Sequence, residues 1–283
     1  MSLKFVALVS EIPEVSTSAL TSVSAALQKQ VLRDFAPVWN EPATVDAFVS
    51  LDDVPIGHWP VIIRNDIGFA GAAGIHLDRD GQPFGLVQFS SSWPLTASHE
   101  ILEMLADPFG SRVIAGNSIK PGQGRVEYLV EVCDPSEAFQ FGYQVNGVQL
   151  SDFYTPNYFD PIKASGVRYS FTGAIKKPRE VLKGGYLSWH DPVTDHWWQQ
   201  DFLGSKKVFN DLGKLDANAA RENIRFEIDR RTDAHEKIHG AMLPTPSARR
   251  RNFSLTAAAA TATTSKAESW RSQIESLKQE YTA

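Results

Sequence analysis

Thr96-Ala97-Ser98-His99-Glu100-Ile101-Leu102-Glu103-Met104-Leu105-Ala106-Asp107-Pro108 is the stretch that decides how this chain is read. It sets one imidazole and the carboxylates of Glu100, Glu103 and Asp107 within a short, otherwise apolar run. At 3.6 residues per turn, His99, Glu103 and Asp107 drift slowly around a helix axis and share a broad face. Ile101, Leu102, Leu105 and Ala106 would bury the other side. Charges among core residues cost several kcal/mol unless they are paired or bind a metal. An imidazole and a carboxylate one turn apart can reach a single cation, so the segment reads as a site. Pro94 suits the first turn of this helix and Pro108 ends it.

Metallopeptidases of the zincin type carry His-Glu-x-x-His on a helix, with two zinc-binding histidines and a glutamate that takes a proton from water. Here Glu103 stands at the second ligand position, and a carboxylate is a legitimate zinc ligand. Glu100 is then the candidate general base. A catalytic zinc has three protein ligands, so a third must come from elsewhere. Glu131, at the end of an apolar strand in Val130-Glu131-Val132-Cys133-Asp134-Pro135, is favoured. Asp107 and Asp134 are held in reserve, Asp107 because an Asp before Pro is also a turn former. The bland alternative is a solvated helix start with Glu103 paired to an arginine such as Arg64 or Arg125.

The run from Ser98 to Pro108, followed by Glu131-Val132-Cys133-Asp134, resembles a pattern in bacterial zincin-like proteins. It is also similar to the plant phosphate-induced, exordium-like proteins, which carry His-Glu-x-x-Glu, a nearby Asn-Pro or Asp-Pro, and then Glu-x-x-Asp. The resemblance covers about the middle third of the chain. It implies an α+β, zincin-like domain with a mixed sheet and an active-site helix, in which a strand just before that helix lies along the substrate cleft. Phe84, Leu86 and Gln88 would belong to that strand, with His76 on the preceding hairpin strand facing the cleft. The resemblance supports a fold and a metal site more than a substrate. Zinc is the first expectation, and an oxygen-rich donor set also suits calcium or manganese.

Working outward, 5–9, 45–51 and 60–63 read as strands and 16–38 as a helix with Ser16 as N-cap. Segments 72–77 and 84–89 form a hairpin around Asp80-Gly81. Beyond the motif, 125–132, 141–150 and 167–171 read as strands, and Asn146-Gly147 is a hairpin turn signal. Residues 184–200 form an aromatic hairpin, in which His190, His196, Trp197 and Trp198 either line a cleft or close a small β core. Residues 216–231 read as a charged helix. The resulting division is a zincin-like domain over 1–203, a helical extension over 204–243, a linker over 244–266 and an amphipathic helix over 267–283. Trp270, Ile274, Leu277 and Tyr281 form one stripe of that last helix, which must dock on something and could fasten a protein partner. The literal string His235-Glu236-Lys237-Ile238-His239 is a decoy, because Lys237 lies where zincin helices are apolar and Gly240 breaks the helix.

A chain of 283 residues with net charge −5 has no general attraction for nucleic acid or anionic lipid. No apolar run approaches the ~20 residues that span a bilayer. The N-terminus reads as a buried strand, not a secretory signal, which points to the cytoplasm. The single cysteine, Cys133, excludes an internal disulfide and reads as a small buried apolar residue. The expected function is metal-dependent hydrolysis of a peptide bond in a peptide or protein substrate. The alternative is an inactive metal-binding or assembly module that docks a partner through its terminal helix.

Overall fold

Successive residues of a strand face opposite sides of its sheet, and along the first strand both sides are apolar. The computed structural model describes residues 3–69, 72–215, 224–232 and 266–282. A first sheet contains β1 (Lys4–Ser10), β2 (Ala43–Phe48), β3 (Trp59–Arg64), β4 (Gly74–Arg79) and β5 (Gln82–Gln88), ordered β2-β1-β3-β5-β4. Every pairing is parallel except that of β4 with β5, so β4 is an antiparallel edge. The β4–β5 turn is the expected one: Asp80 and Gly81 both take positive φ, 53° and 75°, as the tight hairpin requires.

One face of this sheet, including Val6, Leu8, Val61, Ile63 and Val87, packs beneath α1 (Thr17–Lys29) and α3 (Trp93–Ala106). Ser16 caps α1 by accepting the Ala19 N–H. The expected single helix over 16–38 is instead interrupted. A π-helical stretch, Gln30–Phe35, separates α1 from the short α2 (Ala36–Trp39). The interruption has a use, because it brings Gln30 into the core. There its Nε2 donates to the Ser151 carbonyl while its Oε1 accepts from Ser98 Oγ, and Ser98 Oγ in turn accepts the Ser151 N–H. This fully buried triad fixes α3 one residue before His99.

A second, antiparallel sheet has the order β12-β11-β10-β7-β6. It is built from β6 (Val113–Asn117), β7 (Arg125–Leu129), β10 (Tyr186–Asp191), β11 (His196–Asp201) and β12 (Val208–Gly213). The aromatic segment over 184–200 is the β10–β11 hairpin, and its Trp189 is wholly buried in the main core. The expected strand over 141–150 is itself a hairpin of β8 (Tyr143–Val145) and β9 (Val148–Leu150), turning at Asn146-Gly147. The expected strand over 167–171 reduces to an isolated bridge between Tyr154 and Ser170. Of the helical extension expected over 204–243, Val208–Gly213 instead form the last strand of this sheet. Of the charged helix over 216–231, α4 (Ile224–Arg231) is helical, and 216–223 lie outside the described residues. So do the His235–His239 string and, of the linker expected over 244–266, all but Lys266, which begins the last helix.

The opposite face of the first sheet is covered by α5 (Lys266–Thr282). Trp270, Ile274 and Leu277 are buried there with Ala7, Val9, Ile62, Phe84 and Leu86, and the Phe84 and Trp270 rings meet edge-on at 5.0 Å. Three of the four residues of the expected stripe thus pack on the protein's own sheet, and the side chain of Tyr281 lies outside the described residues. Helices packed on both faces of a mixed sheet, together with a separate antiparallel sheet, fit the α+β class. Among the described residues no helix is long and apolar enough to cross a membrane.

Trp270 fills the centre of this lower layer, so Trp270→Ala should lower the unfolding free energy by about 3–5 kcal/mol. Urea denaturation checks this, and a loss below about 1 kcal/mol would mean that α5 does not pack on the sheet in solution.

Candidate metal centre

Three parts of the chain deliver the site's side chains. From α3 come Glu100 and Glu103, buried between the sheet and the segment after β7, and His99, which is partly buried. The edge strand β4 supplies His76, 1% exposed. The loop after β7 supplies Glu131, Cys133 and Asp134, then Glu137 behind the 3-10 turn Asp134–Ser136. Backbone bonds hold that loop against its neighbours: Cys133 N–H donates to Glu103 Oε1 at 3.1 Å, and Leu182 N–H to the Pro135 carbonyl at 2.9 Å. Two glycines permit the close approach. A methyl at residue 74 would lie 2.5 Å from Glu100 Oε1, and one at residue 185 would lie 2.5 Å from the Asp134 carbonyl oxygen.

His99 and Glu103 converge. His99 Nε2 lies 3.1 Å from Glu103 Oε2 and 3.3 Å from Asp134 Oδ1. Glu103, Glu131 and Asp134 each offer an oxygen within 4.8 Å of the others. Tetrahedral zinc with bonds of about 2.0–2.2 Å separates its ligand atoms by roughly 3.3–3.6 Å, close to the two His99 distances. Several buried polar atoms in the cluster have no hydrogen-bond partner, namely His76 Nε2, both Glu131 oxygens and Asp134 Oδ1. Such orphans are costly in a native interior and call for an explanation. Nitrogen and oxygen donors at these separations, with unsatisfied lone pairs, fit a divalent cation.

A cation of another kind is already beside them. Arg225, on α4, is buried in the same cluster and places Nη1 2.7 Å from Glu131 Oε2, 3.1 Å from Asp134 Oδ2 and 3.4 Å from Glu103 Oε2. Its Nε bonds Asp229 at 2.7 Å and its Nη2 donates to the Tyr186 hydroxyl. The contact with Glu131 is close but is not a directed hydrogen bond. The pairing of site carboxylates with an arginine, raised for Arg64 and Arg125, is thus made by Arg225. Arg64 instead pairs with Glu11 and Glu275.

The remaining expected residues are placed as follows. Asp107 does not continue the His99–Glu103 face, because α3 ends at Ala106 and Asp107 leaves the helical conformation at φ −139° and ψ 78°. Its Oδ2 accepts the Arg112 N–H at 2.7 Å, the turn-forming use of an Asp before Pro. The strand over 84–89 offers no free edge to a substrate, since β5 is hydrogen-bonded to β3 on one side and β4 on the other. Phe84 and Leu86 are core residues under α5, and the Gln88 N–H is spent on the Ala73 carbonyl. His76 lies inside the acid cluster, with Nδ1 3.5 Å from Glu100 Oε2 and 3.8 Å from Glu103 Oε2. Glu137, Arg225, Asp229 and Tyr186 were not anticipated. Spacing alone hinted at one of them: Glu131, Asp134 and Glu137 recur every third residue.

Even with both imidazoles protonated, the carboxylates of Glu100, Glu103, Glu131, Asp134, Glu137 and Asp229 outnumber the charges of His76, His99 and Arg225. The protonation equilibria reflect that excess. Burial pushes Asp134 up to about 6, with the Glu103 charge adding to it against the pull of Arg225. Burial likewise lifts Glu131 and Glu137 well above the usual carboxylate range. Burial opposes the charge on His99, yet Glu103 and Asp134 hold its pKa well above the ordinary value. Burial would also raise Glu103, but the adjacent His99 and Arg225 keep it well below.

Groups with raised pKa stabilise the fold fully below their unfolded values, and that contribution is lost as pH rises through the folded ones. Asp134, Glu131 and His99 all act in this sense, whereas the Glu103 contribution is lost only on acidification below its unfolded pKa. The metal-free protein should therefore lose thermal stability between about pH 5 and about pH 8. Scanning calorimetry in chelator checks this, and a midpoint that stays level or climbs over that interval would contradict the protonation scheme.

No family model matches this chain, and no match was found among curated proteins or solved structures.

Proposed function

We propose that the protein is a metal-dependent hydrolase of peptide bonds, with His99, Glu103 and Asp134 as metal ligands and Glu100 as general base. The observation that carries this reading is the convergence of His99 Nε2, Glu103 Oε2 and Asp134 Oδ1 beside unsatisfied buried oxygens. Asp134 replaces Glu131 as the favoured third donor, because its Oδ1 faces His99 whereas Glu131 Oε2 is drawn to Arg225. Zinc suits a histidine with two carboxylates, and manganese is the next candidate on the same donor set.

A divalent cation held there supplies Lewis acidity toward a scissile carbonyl and a nucleophilic water at neutral pH. Glu100 adjoins the ligand His99 in sequence and faces β4, where Gly74 leaves room for its carboxylate. Its role is to accept the proton of the attacking water and return it to the departing amine. His76 Nδ1, on the Glu100 side of the cluster, orients that carboxylate.

A second reading has an observation of its own. Because Arg225 reaches three of the acids, the cluster could be a charge-paired core with no metal. Glu100→Gln separates the two. On the hydrolase reading, it retains metal by elemental analysis and loses peptide cleavage by on the order of 10²-fold or more. Metal-loaded protein whose turnover is unchanged by this substitution would remove Glu100 from the chemistry, and protein that takes up no metal would leave the charge-paired core.

A further inference from the structure

Arg225 reaches the acids from α4, 122 residues along the chain from Glu103. Its guanidinium is permanently charged and presents fixed donors, so no pH change in the working range withdraws it from Glu103, Glu131 and Asp134. Two of these, Glu103 and Asp134, are also proposed metal ligands, and Nη1 stands 3.4 Å and 3.1 Å from them. A dication bound at Glu103 Oε2 and at Asp134 Oδ1, the other oxygen of the carboxylate that Arg225 touches, would face this charge at close range in a water-poor interior, where like charges repel strongly. The two cations compete for one set of acids. The orphaned His76 Nε2 and Glu131 Oε1, on side chains 1% and 4% exposed, show that Arg225 does not satisfy the cluster by itself.

Several contacts seat α4 among the described residues. Its buried apolar anchor is Ile228, in a small cluster with Leu129 and Trp197. Phe226 meets Phe69 edge-on at 5.8 Å, and Arg231 bonds the carbonyls of Leu212 and Lys214. The Arg225 N–H donates to the Gly110 carbonyl. Against this stands the main core, which spans both sheets and to which Ile228 does not belong.

We propose that α4 is a built-in plug: Arg225 holds the place of the metal, and loading the site with a divalent cation requires α4 to withdraw. This rests on the metal-hydrolase reading above and adds its control. The protein with α4 seated is latent, and anything that binds or removes α4 activates it. Where the binding-competent state is only a fraction of the population, apparent affinity falls by that fraction. Loosening α4 therefore tightens metal binding without altering a ligand.

Substituting Arg225 itself would strand the acids, so the test weakens the helix's apolar anchor in the full chain. Ile228→Ser should bind Zn2+ about tenfold or more tightly than the unmodified protein, by titration calorimetry. In the unmodified protein, saturating Zn2+ should raise amide hydrogen exchange over 224–231 while exchange in α3 slows; this arm needs no variant and decides the matter if Ile228→Ser does not fold. Zn2+ binding with equal affinity in both proteins and unchanged exchange over 224–231 would overturn the plug and leave the metal site standing, with Arg225 a bystander. Zn2+ binding to neither, even with 224–231 exchanging freely, would overturn both.

Discussion

Buried carboxylates opposed by too few cations are the constraint around which this structure is organised. A carboxylate removed from water keeps its charge only when a cation or directed donors replace the lost hydration. Glu103, wholly buried, has His99, Arg225 and the Cys133 N–H. Asp134 and Glu131 share what remains, and oxygens of both lack hydrogen bonds. The surrounding fold serves to hold this arrangement rigid. The Gln30–Ser98–Ser151 triad fixes α3, Gly74 and Gly185 admit the close approaches, and the sheets bracket the cluster on either side.

The layering of the first sheet follows from its alternation, since Val6 and Leu8 need one cover and Ala7 and Val9 another. The first cover is local, built from α1 and α3. The second comes from the far end of the chain, where Trp270, Ile274 and Leu277 close the lower core. A similar long return brings Arg225 to the acids. The site is thus assembled from segments that ordinary local folding does not bring together.

Much of this was legible in the residues. The motif helix announced itself through Pro94, the apolar face and the Asp-Pro stop, and the hairpins through Asp80-Gly81 and Asn146-Gly147, because these signals act within a few residues. The convergence of His99 with Glu103 follows from helical spacing. Spacing could not extend it to Asp107, since a helix that stops at Ala106 ends the register. The choice between Glu131 and Asp134 depends on how a loop turns, which no periodicity encodes. Arg225 was illegible for a stronger reason: 122 residues separate it from Glu103, and one arginine in a charged helix looks like any other. The strand over 84–89 was recognised, but whether a strand is an edge is a property of the sheet, not of the strand.

The claim that cations hold these acids in place is tested most directly by removing the permanent one and offering another. Arg225→Gln, unfolded in urea with chelator present, should lose about 3–5 kcal/mol, the usual consequence of stranding a buried charge. Zn2+ at a hundred times its dissociation constant should then restore about 2.7 kcal/mol. A variant as stable as the original in chelator, or a destabilised one that Zn2+ leaves unchanged, would contradict the account.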